Sequence, residues 1–389
     1  MPNTKVKNKE NKNLKQFDFI LCITVFLLLA LGIVMVLSAS APTALSEDGN
    51  SYSYAIRQSG FAIVGIVCMF IISKIDYKIY KRFYKVAYIV AIAALFLVVI
   101  PHIGIERNGA RRWANLGFGQ FQPSEIAKIA LIVFYAGYLT DHRNELNTFK
   151  GGFLKPIILL GIPILILYKV QNHLSASIII VMVVSIMMLM AGTRLKDFIS
   201  GGITFGSIAA AAMLFMSQIK GGGESGEGSF RMARILSFLD PWADASKTGW
   251  QVVQGLYAIG SGGLFGVGLG NSKQKYLYIP EPHNDFIFAV LAEELGFVGC
   301  LVVIALYGVF IWRGILTSMK AKDCFGSLLA VGITSLIGIQ AIMNIAVVTS
   351  SMPATGISLP FFSYGGTSLL ILLCCVGVLL NISRSTTKV

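Results

Sequence analysis

Charge is scarce in this sequence. Only 13% of its 389 residues are Asp, Glu, Lys or Arg, where a soluble domain carries about a quarter. That shortage argues against ordinary globular packing. With 55% hydrophobic residues and a mean hydropathy of +0.72, the chain reads as a polytopic membrane protein. Histidine is scarcer still, at four residues. No H-x-x-x-H spacing occurs, so His173 and His283 are too isolated to read as metal ligands. The six cysteines (Cys22, Cys68, Cys300, Cys324, Cys374 and Cys375) contain no CxxC pair. Five lie inside apolar runs as packing residues, and Cys324 sits beside a Lys-rich loop, which leaves no disulfide framework. Despite a net charge of +13, nothing resembles a nucleic-acid module or a basic arm with interleaved aromatics. There is no convincing internal repeat.

Long apolar runs are what the chain has in quantity. Segments near the ~20 residues needed to cross a bilayer fall at about 17–38, 57–74, 84–101, 126–141, 153–170, 175–192, 198–218, 286–312, 326–349 and 365–383. The expectation is an all-α polytopic membrane protein with ten transmembrane helices. A basic tail over 1–16 precedes one membrane domain over 17–384, and a short tail follows over 385–389. The first run is too long for a signal h-region of roughly 7–15 residues and reads as an uncleaved span.

Positive charge orients the spans. With the N-terminus inside, the tail (Lys5 to Lys15), the segment 74–85, the later even-numbered connections and the C-terminus bring 20 of the 32 basic residues to the cytoplasmic face. Only seven of the 19 acids join them. An even number of spans puts both termini in the cytoplasm. Two outside segments are long, about 102–125 and 219–285, the second between helices 7 and 8. The second opens on the flexible "GGGESGEG" (Gly221–Gly228), but Trp242, Trp250, Tyr257, Tyr276 and Tyr278 predict that most of it packs or lies at the interface.

Four stretches carry candidate chemistry. "GSGGLFGVGLG" (Gly260–Gly270) lacks the Lys-Ser/Thr of a phosphate loop and has no βαβ setting; a close-packed Gly-rich turn or re-entrant segment is expected instead. In "NGARRWANLGFGQFQPSEIAK" (Asn108–Lys128), Arg111, Arg112 and Trp113 lie outside, against the positive-inside trend. They read either as an interfacial anchor or as site residues. Pro123 starts a helix there, with Ser124 and Glu125 in its first turn. Glu125 and Lys128 share a helix face, as a self-satisfied ion pair or as a functional interior. "PEPHNDFIF" (Pro280–Phe288) places Asp285 where polar chain meets apolar helix, as a cap or as a reactive carboxylate. Glu293 and Glu294 follow about three turns deeper. At 100° per residue Glu293 falls about 80° from Asp285 and Glu294 on the opposite face. Adjacent carboxylates in a span point to buried partners or a polar cavity. Finally, "MPATGISLPFFSYGGTSLL" (Met352–Leu370) interrupts the last two spans with Pro and Gly, which is tolerated at membrane depth only where the backbone is buried or lines a cavity.

Taken together, "NGARRW…FQPSEIAK", "RILSFLDPW…GWQVVQGLYAIGSGGLFGVGLGNSKQKYLYIPEPHNDFIFAVLAEELGF" and "PATGISLPFFSYGGTSL" resemble the SEDS family (shape, elongation, division and sporulation), the FtsW, RodA and SpoVE proteins. The resemblance runs from about Phe17 to Arg384 and is nearly unbroken from Arg234 to Phe297. It implies ten transmembrane helices and a peptidoglycan glycosyltransferase of the bacterial cytoplasmic membrane. The expected reaction polymerises lipid II on the outer face, alongside a class B penicillin-binding protein transpeptidase and other divisome proteins. The family's essential aspartate matches Asp285, and its polar helix-four residues match Glu125 and Lys128. Within the matched stretches Trp113, Gln254, His283 and Ser363 join the expected substrate-binding set. Two departures stand out. "QNHLSAS" (Gln171–Ser177) replaces an acidic-Pro-Asp-x-Gly/Ser-Thr segment and is therefore assigned no catalytic role, and Ala346 stands where Gly is frequent. The tail after "GVLLNISR" looks more like the division or sporulation branch than the elongation branch.

The chemistry such a reaction needs matches these residue types. A sugar hydroxyl must lose its proton as it attacks, so a base at Asp285 is expected to contribute about 10²–10⁴ in rate. The departing diphosphate needs positive charge rather than an acid. Arg111, Arg112, Lys128, Arg231, Arg234 and Lys275 are the candidates, with Arg suited to bidentate contact. A divalent cation, magnesium or manganese, is a further expected contributor, with no legible ligand set. Two other readings stay open: a lipid II flippase using the same polar cavity, and a non-catalytic scaffold for division proteins.

Overall fold

The computed structural model describes residues 17–107, 110–115, 120–202, 237–245, 249–276 and 278–385. The expected span over 198–218 lies outside them beyond residue 202, as do Arg231 and Arg234. Among the described residues, seven helices are long and apolar enough to cross a membrane. They are α1 (Phe19–Asp48), α2 (Ser53–Ile72), α6 (Lys155–Lys169, extended at its start by a π-helical turn over Phe149–Leu154), α7 (Leu174–Ala191), α9 (Ile287–Met319), α10 (Cys324–Val348) and α11 (Gly366–Arg384). Two further helices coincide with apolar runs of the sequence: α4 (Tyr84–Phe96), preceded by the short α3 (Lys78–Arg82), and α5 (Pro123–Asp141). A further helix, α8 (Trp250–Gly262), belongs to the outer segment.

Packing follows from which faces are apolar all round. The centre is α10, whose apolar window is 72% buried and which packs against α9, α7 and α5. Around it α2 lies along α11, α4 along α5, and α1 along α9. The second half of α9 turns Phe297, Leu301, Val302 and Ile304 outward, a large exposed apolar surface that only hydrocarbon suits.

The ends of the helices sort by side as the charge pattern predicts. Asp18 caps α1 through the Leu21 amide at 3.0 Å and pairs with Arg313, near the end of α9, at 2.7 Å. Asn381, near the end of α11, accepts from the Tyr77 amide at 2.9 Å and donates to Ser73 O at 2.9 Å. Tyr77 in turn donates to Asp323, just ahead of α10. The chain entry and the connections at 73–83 and 320–323 therefore meet at one end.

At the other end the structure adds detail that the sequence did not signal. α1 runs ten residues past its expected stop, through Pro42, to a left-handed Gly49 cap. The first long outer segment contains a three-stranded antiparallel sheet, β1 (Gly104–Arg107), β2 (Ala110–Asn115) and β3 (Gln120–Phe121). Ile105 faces Trp113 and Glu106 faces Arg111 across it.

α9 is broken at Gly296, where φ is 68° and ψ −168°. The carbonyls this frees are taken by the Gly-rich segment: Val267 N donates to Glu293 O at 3.0 Å and Gly268 N to Glu294 O at 3.1 Å. Conversely, Phe297 N reaches Gly263 O at 2.9 Å. The approach leaves no room for a side chain, since a Cβ on Gly266 would sit 2.1 Å from Glu294 O. The expected close-packed turn is what forms, with Gly262 and Gly266 set against the α9 backbone.

Candidate functional site

The candidate carboxylate sits just ahead of its helix. α9 begins at Ile287 with Phe286 as N-cap and no side-chain cap bond, so Asp285 stands one residue outside, half-buried. Its backbone is held from the opposite side. Tyr364 N donates to His283 O at 2.8 Å, Ser363 Oγ to Asn284 O at 2.7 Å, and Asn344 Nδ2 to Asp285 O at 2.7 Å. Three successive carbonyls are thus fixed by α10 and the segment before α11. Asn344 Nδ2 also reaches Ile357 O at 2.7 Å, and Tyr307 of α9 donates to Pro360 O. Irregular backbone beside the carboxylate is therefore pinned at both ends. Gly356, at φ +66°, would place a Cβ 3.7 Å from Asp285 Oδ2, so this turn passes directly by the carboxylate.

Ser363, expected on the resemblance, acts here as a positioning residue: it receives the Leu359 amide at 2.7 Å while gripping Asn284. His283 is buried against the rings of Tyr54 and Tyr364, at 4.9 and 5.8 Å. Burial pushes its imidazole below the usual histidine range, although Glu281 and Glu47 pull the other way. Gln254 is buried on α8, which packs along α9.

A second polar group lies where α5 and α7 begin. Lys128 Nζ and Glu125 Oε1 are 2.7 Å apart with both side chains more than nine-tenths buried, so the shared helix face does produce an ion pair. Arg112 reaches across from β2 to the end of the α6–α7 connection, with Nη2 2.6 Å from Asn172 O. His173, at the start of α7, lies 3.5 Å from the Gln122 amide. Burial first, then Arg112 and Lys128, pushes its imidazole down to about 3, so it is neutral at physiological pH. Ser175 donates to Thr355 O, one residue from Gly356. That bond connects this group to the turn beside Asp285.

His173 and Ser175 belong to the segment assigned no catalytic role from sequence, and the structure puts them beside Lys128 and the Asp285 turn. The only sequence signal was negative, the missing Pro and Asp, and it pointed away. Arg111 stays at the periphery, exposed and paired with Glu106 at 3.1 Å. Trp113, half-buried, lies in the same strand.

Lys275, expected among the cations that receive diphosphate, has a side chain only 3% exposed, and its ammonium donates to Ser38 Oγ at 3.0 Å, Gly270 O at 2.7 Å and Glu294 Oε1 at 2.9 Å. Glu294 also accepts from Ser38. Glu293 accepts from Ser272 Oγ and, at 2.9 Å, from the Lys273 amide. The adjacent carboxylates thus do have buried partners, and they anchor the loop 270–275 to α9. No group of three His, Cys, Asp or Glu able to hold a metal ion occurs among the described residues.

Comparison with known proteins fits this architecture. The chain is 41% identical to stage V sporulation protein E of Bacillus subtilis, over 94% of this chain and 97% of that protein. It is 38% identical to a probable peptidoglycan glycosyltransferase FtsW of Geobacter sp. (strain M18), over 96% and 98%. Among solved structures, a chain from a study of polymerization and crosslinking by a peptidoglycan synthase complex superposes with a TM-score of 0.78 at 27% identity, covering 95% of this chain and 98% of that one. The rod shape determining protein RodA of Thermus thermophilus superposes at 0.66 with 25% identity, over 96% and 98%. With residues 19–388 matching the family model described as cell cycle protein, the chain belongs to the FtsW/RodA/SpoVE family.

Proposed function

We propose that this protein is a peptidoglycan glycosyltransferase that polymerises lipid II at the outer face of the bacterial cytoplasmic membrane. Membership of a family whose relatives include a probable peptidoglycan glycosyltransferase supports the activity. The observation that carries the site is the fixing of the His283–Asp285 backbone by Tyr364, Ser363 and Asn344. It holds one carboxylate at the outer edge of the helix layer, where a lipid-anchored sugar must be met.

In the proposed reaction the acceptor hydroxyl oxygen forms a bond to the anomeric carbon of a second lipid-linked sugar. The bond from that carbon to the diphosphate oxygen breaks, and the hydroxyl proton passes to Asp285. Standing outside the first helical turn, Asp285 loses less basicity to the helix dipole than a capping carboxylate. Arg112 is the described cation best placed to face the diphosphate, because its planar fork suits phosphate oxygens. Lys128 contributes through the Glu125 pair. Arg231 and Arg234 remain proposed contributors, and no step is routed through a divalent cation.

The proposed topology has ten spans, cytoplasmic termini and the 219–285 segment outside. The proposed partner is a class B penicillin-binding protein within the division or sporulation machinery, in keeping with the synthase-complex neighbour. The broken α9 and the buried ion pair also occur in transporters. One assay separates the readings. Purified protein with lipid II in detergent, with and without the transpeptidase, yields glycan chains if it is the enzyme. Translocation in vesicles without chain growth would instead favour a flippase.

A further inference from the structure

A membrane-facing groove of about 330 Å³ opens between α2, α3, α5, α10 and α11. Its volume is at the lower end of ligand sites, which run about 300–1,000 Å³. Ile129, Ala130 and Val133 of α5 line it together with Leu329 of α10 and Ile371 and Cys374 of α11. Apart from the Tyr80 side chain and two thiols the lining is hydrocarbon, so a head group would find no hydrogen-bonding partner there.

The groove has a direction. α5 descends from the outer face, so Ile126 marks the groove's outer end and Val133 lies about 10 Å deeper at 1.5 Å per residue. Tyr80, which follows the cytoplasmic end of α2, belongs to its inner end. Ile126 is the neighbour of Glu125, and Cys375, on the groove wall, lies within electrostatic reach of both Glu125 and Lys128. The apolar slot thus starts beneath the polar group that Arg112 and His173 complete. A ligand spanning both would carry a charged head at the outer level and a single long hydrocarbon chain running inward.

We infer that the groove between α2, α5 and α11 holds the prenyl tail of the lipid-linked sugar diphosphate, with its head at the Arg112–Lys128 end. The inference rests on the lipid-linked substrate proposed above. It adds where the tail lies and makes α5 the element that registers head against tail: the helix that carries Glu125 and Lys128 also lines the slot.

Two measurements test it. In the first, a photoreactive undecaprenyl diphosphate is irradiated with the purified protein and the labelled peptides are mapped. Labelling within 126–133 and 371–378, competed by unlabelled undecaprenyl diphosphate, is expected; labelling confined to other surfaces overturns the site. In the second, polymerisation of lipid II with its natural tail is compared with a farnesyl-tailed analogue. Ala130→Trp, or Ile371→Trp if the first variant fails to fold, should lower the preference for the long tail about tenfold. An unchanged preference in a folded variant overturns the inference. If wild-type protein makes no product from either substrate, the proposed function fails, while the labelling still decides the groove.

Discussion

Asn344 Nδ2 lies 2.7 Å from the carbonyl of Asp285 and 2.7 Å from that of Ile357. One buried amide on α10 therefore locks the carboxylate-bearing turn to the segment that passes in front of it. Asn344→Asp keeps the shape but removes the N–H donors and sets a carboxylate against two carbonyls. A loss of about 10²-fold in turnover is expected, since misplacement of about 1 Å costs that much, with a smaller change in KM. Steady-state polymerisation kinetics check this; a rise in KM alone would make Asn344 a substrate contact.

The Lys275–Glu294 pair predicts a stability effect rather than a binding effect. Each single change, Lys275→Met or Glu294→Gln, leaves an uncompensated buried charge and should cost about 3–5 kcal/mol. The double variant should recover part of that loss. Thermal unfolding in detergent reads both. A single variant of wild-type stability with a selectively raised KM for lipid II would return Lys275 to the diphosphate site.

Histidine 173 gives a pH signature. Its folded-state value of about 3 lies below the unfolded value near 6.5. The unfolded state therefore binds the extra proton, and stability falls as pH drops below about 6.5 toward the folded value. The slope should approach about 1.4 kcal/mol per pH unit in the middle of that window. His173→Gln should flatten this slope when melting temperature is followed from pH 7 to pH 4, and an unchanged slope would contradict the burial of a neutral imidazole beside Arg112 and Lys128.

Close approach predicts an intolerant glycine far from the carboxylate in sequence. A Cβ on Gly32 would sit 2.1 Å from Phe361 O, and Phe361 itself has φ +67°. Gly32→Ala should push the 352–363 segment away from α1, costing about 1–3 kcal/mol and reducing activity with it. Full activity at wild-type stability would show that the segment is free to shift.

What the sequence made legible follows from periodicity and local chemistry. Apolar runs foretold helices to within a few residues at most ends, and seven of the described helices are long and apolar enough to cross a membrane. The spacing of Glu125 and Lys128 foretold their pairing, because neighbours on one helix need no tertiary information. Positive charge sorted the helix ends, as the Asp18–Arg313 and Tyr77–Asp323 contacts illustrate. Long-range partners stayed invisible. Ser38 meets Glu294 across 256 positions, and Asn344 meets Asp285 across 59; no local pattern marks either. His173 was passed over because it replaces an expected motif, and the carboxylate partner of Lys275 was not foreseen because a lone cation looks the same in sequence whether it meets a substrate or a buried carboxylate. The small sheet was hidden by its length, since strands of two to six residues carry little alternation.

The central claim is that Asp285 takes the acceptor proton. It is tested most directly by lipid II polymerisation with purified Asp285→Ala, checked for normal insertion and thermal stability. A folded protein that forms no glycan chains is expected, with Asp285→Glu retaining a trace of activity. Wild-type chain formation by folded Asp285→Ala would contradict it.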